Sequence, residues 1–238
     1  MIAGGLGLAG FAATGVAAQA PASHGPAPAL GDDYLRYVHP ELRRVAGMWL
    51  KMSADEKPLG PGTLAASREG MGKYSRPQRA DIPVERRMVP GVQGQPDVAV
   101  YIINARAGGE ARPAILHTHG GGYVMGSAAL SVAEMQDVCA QLGCMAVSVD
   151  YRLAPETRWA GAVEDNYAGL KWLYANAASL GADPARIALM GESAGGGHAA
   201  LLAITARDRG EVPLAFQCLI YPMLDDRTGS SRKVPPHV

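Results

Sequence analysis

Charge is missing from the start of this chain. Met1–Ala20 holds no Lys, Arg, Asp or Glu, and the first Lys or Arg is Arg36. Ile2–Ala18 is small and weakly apolar, and Ala18-Gln19-Ala20 has the A-x-A form of an export cleavage site. A positive n-region is also lacking, and Pro21 follows the second alanine. Cleavage after Ala18 avoids that proline. The Gly/Ala-rich stretch resembles a twin-arginine signal whose arginines lie upstream of Met1. Two readings stand: a signal peptide for export to the periplasm or the medium, which the pattern slightly favours, and a flexible cytoplasmic leader.

Cysteine is scarce. Cys139, Cys144 and Cys218 are an odd number without metal-ligand spacing, which excludes a disulfide scaffold and a thiolate metal centre. Cys144 and Cys218 lie in apolar, strand-like runs and read as buried free thiols. Net charge is absent too: 22 basic residues balance 22 acidic ones. The electrostatic footprint of a nucleic-acid or anionic-membrane partner is therefore missing. No apolar run reaches the roughly 20 residues of a membrane span. The 238 residues suffice for one domain burying roughly 70% of its unfolded surface.

What is present is an alternation of strands and helices. Residues 21–31 are a Pro/Ala/Gly linker. Residues 32–75 read as two helices. The first covers Tyr34–Met52, with Leu35, Val38, Leu42, Val45, Met48 and Trp49 at helical spacing, and a short one lies around Gly62–Gly72. Val84–Val89 and Val98–Ile103 read as an antiparallel pair at one sheet edge. Strands at Ala114–Thr118, Cys144–Val149, Ile187–Met190 and Phe216–Tyr221 then alternate with helices at Leu130–Leu142, Trp159–Leu180 and Ala194–Arg207. That order predicts an α/β fold, a mostly parallel sheet with helices on both faces, over residues 84–238. Asp183–Arg186 reads as a turn before the Ile187 strand.

Gly191-Glu192-Ser193-Ala194-Gly195 stands between an apolar strand and an Ala/Gly-rich helix. This is the context of a G-x-S-x-G nucleophile elbow, in which a sharp strand-to-helix turn lifts the serine hydroxyl above the sheet. Gly191 and Gly195 remove side chains that would clash across the turn. His119-Gly120-Gly121-Gly122 follows another strand. Three consecutive glycines bring bare N–H groups close to a ligand, as stabilisation of an oxyanion requires. The run lacks G-x-G-x-x-G and a P-loop lysine, which argues against a phosphate loop. His119 reads as a residue that organises the loop, and His117 as a buried strand residue. Glu192 neighbours the nucleophile, and His198 is expected to point away from Ser193. Asp150, Arg152 and Glu156 read as a charged scaffold holding the loop after the strand Cys144–Val149.

Three motifs in order, His117–Tyr123 (HTHGGGY), Asp150–Glu156 (DYRLAPE) and Gly191–Gly196 (GESAGG), resemble the hormone-sensitive lipase family of α/β-hydrolases, also called bacterial family IV esterases. The resemblance extends from about Tyr34 to Asp226. It implies an α/β-hydrolase fold with the N-terminal helices as a cap over an acyl pocket, and Ser193 as nucleophile. It also implies oxyanion donors from the backbones of Gly121, Gly122 and Ala194, short-chain acyl esters as small-molecule substrates, and no metal or organic cofactor.

The resemblance also implies a catalytic acid and base beyond residue 238, with the last strands of the fold missing from these residues. Asp225 and Asp226 stand one strand too early for the acid, and His237 follows no element that would hold it. On this reading the isolated chain is a nearly inactive esterase fragment. The alternative is a small-molecule-binding relative that keeps the fold and lacks the base. A deacetylase or lactonase would use the same residues. The number of subunits has no signature in the sequence.

Overall fold

The structure, a computed structural model, describes residues 32–53, 59–92, 94–225 and 227. The expected leader at 1–20, the linker at 21–31, Asp226 and His237 lie outside them. Two compact units divide the chain: Met1–Glu56 with Lys233–Val238, and Lys57–Arg232.

In the first unit the expected helix Tyr34–Met52 is interrupted. A 3-10 segment covers Asp32–Tyr37, a second covers Pro40–Leu42, and α1 runs only over Arg43–Ser53. The cause is Pro40. It lacks an N–H and pushes the preceding residue out of helical geometry, and His39 takes φ −50°, ψ 135°. The two helices expected at 32–75 thus fall in different units, because α2, Leu64–Met71, belongs to the second.

The second unit is built on a six-stranded sheet. The strands are β1 Val84–Val89, β2 Val98–Ile103, β3 Arg112–Thr118, β4 Met145–Asp150, β5 Ala182–Glu192 and β6 Phe216–Ile220, in the order β1-β2-β4-β3-β5-β6. β1 and β2 are antiparallel, β2 is antiparallel to β4, and β3, β4, β5 and β6 run parallel. This is the mostly parallel sheet that the alternation of elements predicts. Its helices are α3 Ala128–Leu142, α4 Trp159–Asn176 and α5 Ala194–Arg209.

Alternation along the central strands supplies two cores. Leu116, Val147, Val149 and Leu189 face α4 and α5, where Leu170, Leu173 and Leu202 meet them. Ile115 and Ala146, one residue over, face Val132, Met135 and Cys139 of α3. Helices therefore cover both faces, as a parallel sheet requires. Cys139 and Cys144 are sealed, whereas Cys218 on β6 is only half-buried, a correction to its expected burial. β6 pairs with β5 alone among the described residues, and Phe216 at its start is exposed.

Two boundaries differ from the sequence pattern for local reasons. The helix expected to reach Leu180 ends at Asn176 and is followed by a 3-10 turn, Ala178–Leu180. There the Asn176 amide donates to the Trp172 carbonyl and the Ser179 hydroxyl to the Asn176 carbonyl, side-chain bonds that compete with helix continuation. The expected turn at Asp183–Arg186 is a bulge inside β5. Arg112 pairs with Ala182 and Ala114 with Ile187, so four residues bow out opposite Pro113, which has no N–H to donate. Asp183 still does turn chemistry, accepting from Ala185 N at 2.9 Å and Arg186 Nε at 2.8 Å.

α4 lies so close to the sheet that a Cβ on Gly169 would stand 2.6 Å from Val149 Cγ2. Valine at 169 would have to push a stiff β-branched neighbour aside. Gly169→Val is expected to lower stability by about 1–3 kcal/mol, read from urea unfolding at unchanged m-value.

Candidate active site

Ser193 joins β5 to α5 with φ 54° and ψ −119°, a region L-residues avoid at a cost of about 1–3 kcal/mol. Its backbone is held from both sides. Ser193 N donates to Ile220 O at 3.0 Å, and its carbonyl accepts from Met223 N at 2.9 Å and Gly197 N at 3.1 Å. The turn closes because both flanking positions are glycine. A Cβ on Gly191 would strike the Gly195 carbonyl, and one on Gly195 would strike the Thr118 carbonyl. Thr118, at the end of β3, ties the junction by donating its hydroxyl to Gly195 O at 2.7 Å.

The glycine run leaves β3 beside this turn. Gly121 has φ 126° and Gly122 φ 62°. A Cβ on Gly121 would meet the Met125 carbonyl, because Gly121 O accepts from Met125 N at 2.9 Å and Val124 N at 3.2 Å. Gly120 N donates to Glu192 Oε1 at 2.6 Å. The N–H groups of Gly121, Gly122 and Ala194 have no acceptor among the described residues. Gly121 and Ser193 line one cleft of about 310 Å³, together with Met71, Leu130, Glu192 and Tyr221. A larger cleft of about 580 Å³, between the Pro90–Val92 segment and α4, carries none of the three motifs. Chemistry, rather than volume, picks the smaller one.

Glu192, in the wall of the cleft, does more than its neighbour position suggests. Its second oxygen stands 3.0 Å from His117 Nε2, and His117 Nδ1 stands 2.8 Å from the buried Ser148 hydroxyl. A carboxylate only accepts, so Nε2 carries the proton in this bond. Burial raises the Glu192 pKa, but the bonds from His117 and Gly120 outweigh it and hold the carboxyl below its ordinary value. Glu192 thus ties the elbow to the glycine loop as an anion. No sequence motif marked this role. The only signal was a carboxylate beside the serine with a histidine on the neighbouring strand.

His119 is buried, with its ring stacked on Tyr151 at 4.2 Å and 10°. The Tyr151 hydroxyl donates to His119 O at 2.6 Å, and His119 Nδ1 lies 2.8 Å from Gly120 O. Desolvation lowers the His119 pKa. His198 packs edge-on against Tyr151 and Tyr123, at 4.5 and 5.0 Å. Among the described residues, no histidine is hydrogen-bonded to the Ser193 hydroxyl. Asp225 is engaged with Arg227 at 2.8 Å.

The charged scaffold is divided among three partners. Asp150 accepts from Ala128 N at the start of α3 (2.9 Å), and Arg152 pairs with the buried Asp165 of α4 (2.7 Å). Glu156 pairs with Arg68 of α2 at 2.8 Å. Among the described residues, no group of three or more His, Cys, Asp or Glu could hold a metal ion, and no helix is long and apolar enough to cross a membrane.

Comparison with known proteins gives a consistent picture. The family described as alpha/beta hydrolase fold matches residues 115–237, just over half of the chain. Carboxylesterase NlhH of Mycobacterium tuberculosis is 42% identical over 144 residues, which is 60% of this chain and 44% of that protein. Esterase LipI of the same species is 44% identical over 110 residues, 46% of this chain and 34% of its own. Among solved structures, a bacterial heroin esterase superposes with TM-score 0.72 at 34% identity, over 82% of this chain and 61% of that one. The hyperthermophilic esterase of the archaeon Pyrobaculum calidifontis gives TM-score 0.66 at 36% identity, over 78% and 59%. The chain spans less than half the length of these curated relatives.

Burial, with His119 nearby adding to it, pushes the His198 pKa down to about 4. An unfolded histidine takes up its proton near pH 6.5, whereas the folded one resists until about pH 4. The unfolded state therefore binds more protons in that window, and stability falls as pH drops through it. His198→Leu is expected to remove this loss. The stability gap between variant and parent should shift by about 2–3 kcal/mol in the variant's favour from pH 7 to pH 4, read from urea titrations.

Proposed function

The chain belongs to the α/β-hydrolase family, in its hormone-sensitive-lipase-like branch, and from that membership we propose that it is a carboxylic-ester hydrolase working through an acyl-enzyme on Ser193. The observation that carries the reading is Ser193 on its strained turn, sharing a cleft with Gly121 of the glycine loop, whose N–H has no acceptor among the described residues. The Ser193 hydroxyl attacks the carbonyl carbon of a small ester. Charge that develops on the carbonyl oxygen is met by the N–H groups of Gly121, Gly122 and Ala194, each donor contributing a few kcal/mol in the transition state. The alcohol departs, leaving the acyl group on Ser193 until water releases it.

Gly120 takes no part in binding the oxyanion, since its N–H is committed to Glu192. Its bond to Glu192 fixes the start of the loop, one residue before Gly121 lines the cleft. A cleft of about 310 Å³ suits a short acyl chain. Activation of Ser193 needs a general base, normally a histidine held by a carboxylate. The described histidines are all otherwise placed, so this reading takes its base and acid from outside the described residues.

The test is release of p-nitrophenol from a short-chain p-nitrophenyl ester by the protein isolated from its native cell. Ser193→Ala is expected to lower kcat/KM at least about 10³-fold. A polypeptide confined to these 238 residues is expected to turn over near the level that a triad-less site retains. Ester binding without turnover by the native protein would replace the enzyme with a binding member of the same fold. Turnover unaffected by Ser193→Ala would remove the mechanism.

A further inference from the structure

Arg68 touches neither Ser193 nor the glycines, yet it holds the turn that follows them. It projects from α2, and its guanidinium makes four hydrogen bonds to two separate loops. Nε donates to Val124 O at 2.7 Å, and one terminal nitrogen donates to Ala154 O at 2.8 Å. Both terminal nitrogens grip the Glu156 carboxylate, each at 2.8 Å. Val124 is the residue whose N–H closes back on Gly121 O. Ala154 N donates to Tyr123 O at 2.9 Å. The loop after β3 and the loop after β4 are thus stitched to each other, and Arg68 bolts the seam from outside. Three residues along α2, Met71 forms a wall of the cleft that holds Ser193.

We propose that Arg68 is a positioning residue for the reaction. By fixing the Val124 carbonyl it fixes the turn Gly121–Met125, and through that turn the angle of the Gly121 and Gly122 N–H groups. The inference rests on the ester-hydrolase reading for its kinetic consequence and on the geometry alone for its structural one. Planarity is the important property. A guanidinium presents its donors in a rigid planar fork that makes all four bonds at once, whereas an ammonium has three donors on a flexible stem. Surface attraction to Glu156 is the lesser part. Glu156 is mostly solvent-exposed, and an exposed ion pair contributes little. The pairing still holds the Glu156 carboxyl down to about 2, chiefly through the Arg68 hydrogen bond.

Three variants separate fork from charge: Arg68→Lys, Arg68→Met and Glu156→Gln. Amide hydrogen exchange is followed by mass spectrometry on peptides covering residues 119–127 and 150–158, with residues 145–149 of β4 as control. Arg68→Lys and Arg68→Met are both expected to speed exchange in the first two peptides at least tenfold and to leave the control unchanged. Glu156→Gln keeps the two carbonyl contacts and is expected to change exchange less than threefold. In the native protein, Arg68→Lys is also expected to lower kcat on a p-nitrophenyl ester by about tenfold to a hundredfold with KM little changed, as misplacement of transition-state donors does.

Full protection in Arg68→Lys would overturn the proposal, because charge alone would then suffice. Equal loss of protection in the control would overturn it too, since the effect would be global destabilisation. A fall in kcat/KM carried by KM alone would assign Arg68 to the cleft wall instead of the oxyanion donors. Absence of Ser193-dependent hydrolysis in the unmodified protein would count against the ester-hydrolase reading, and the exchange comparison would still decide whether Arg68 holds the loop.

Discussion

The closeness of three backbones at the end of β5 governs everything around the cleft. β3 ends at Thr118, β5 ends at Glu192 and α5 starts at Ala194, with no space between them for a Cβ at Gly191 or Gly195. Here β5 gives way to α5 in a single residue, Ser193, and the sharp turn puts that residue at positive φ. Its neighbours make the conformation bearable. β6 supplies an acceptor for its N–H, and Met223 a donor for its carbonyl. The strain is local, and the hydrogen bonds that hold it are spread over three elements.

The second constraint is electrostatic. Glu192 is an anion in a half-buried place, where an unpaired carboxylate would be costly. It is satisfied by one backbone N–H and one imidazole, on successive segments of the chain after β3 begins. The same bonds that make the carboxylate tolerable also position Gly120. Stability and site geometry are therefore one interaction here, because the loop cannot drift without leaving the charge unpaired.

Much of this was legible in the residues. The six strands, their mostly parallel order, the antiparallel edge pair and the positions of the elbow and the glycine run all follow from period and punctuation. What escaped was of two kinds. Local overrides moved boundaries: Pro40 broke the helix through Tyr34–Met52, and Pro113 let Asp183–Arg186 bulge within β5 instead of preceding it. Long-range polar contacts had no pattern at all. Arg68 lies 56 residues from Val124 and 88 from Glu156, and one arginine on a short helix looks like any solvated charge. The setting of His198 against Tyr123 and Tyr151 was equally invisible, since ring packing leaves no spacing rule in a chain. Periodicity reports which face is buried. It does not report which polar group waits on the other side.

The cysteines give the molecule a built-in clock. Cys139 and Cys144 bracket the left-handed turn at Gly143, one at the end of α3 and one at the entrance to β4, and both are sealed. A thiol reagent in excess reaches them only when that layer parts, so their rate of modification counts openings of α3 from the sheet. Cys218, half-buried on β6, lies outside that layer. Two thiols of one chain thus time the breathing of a single face.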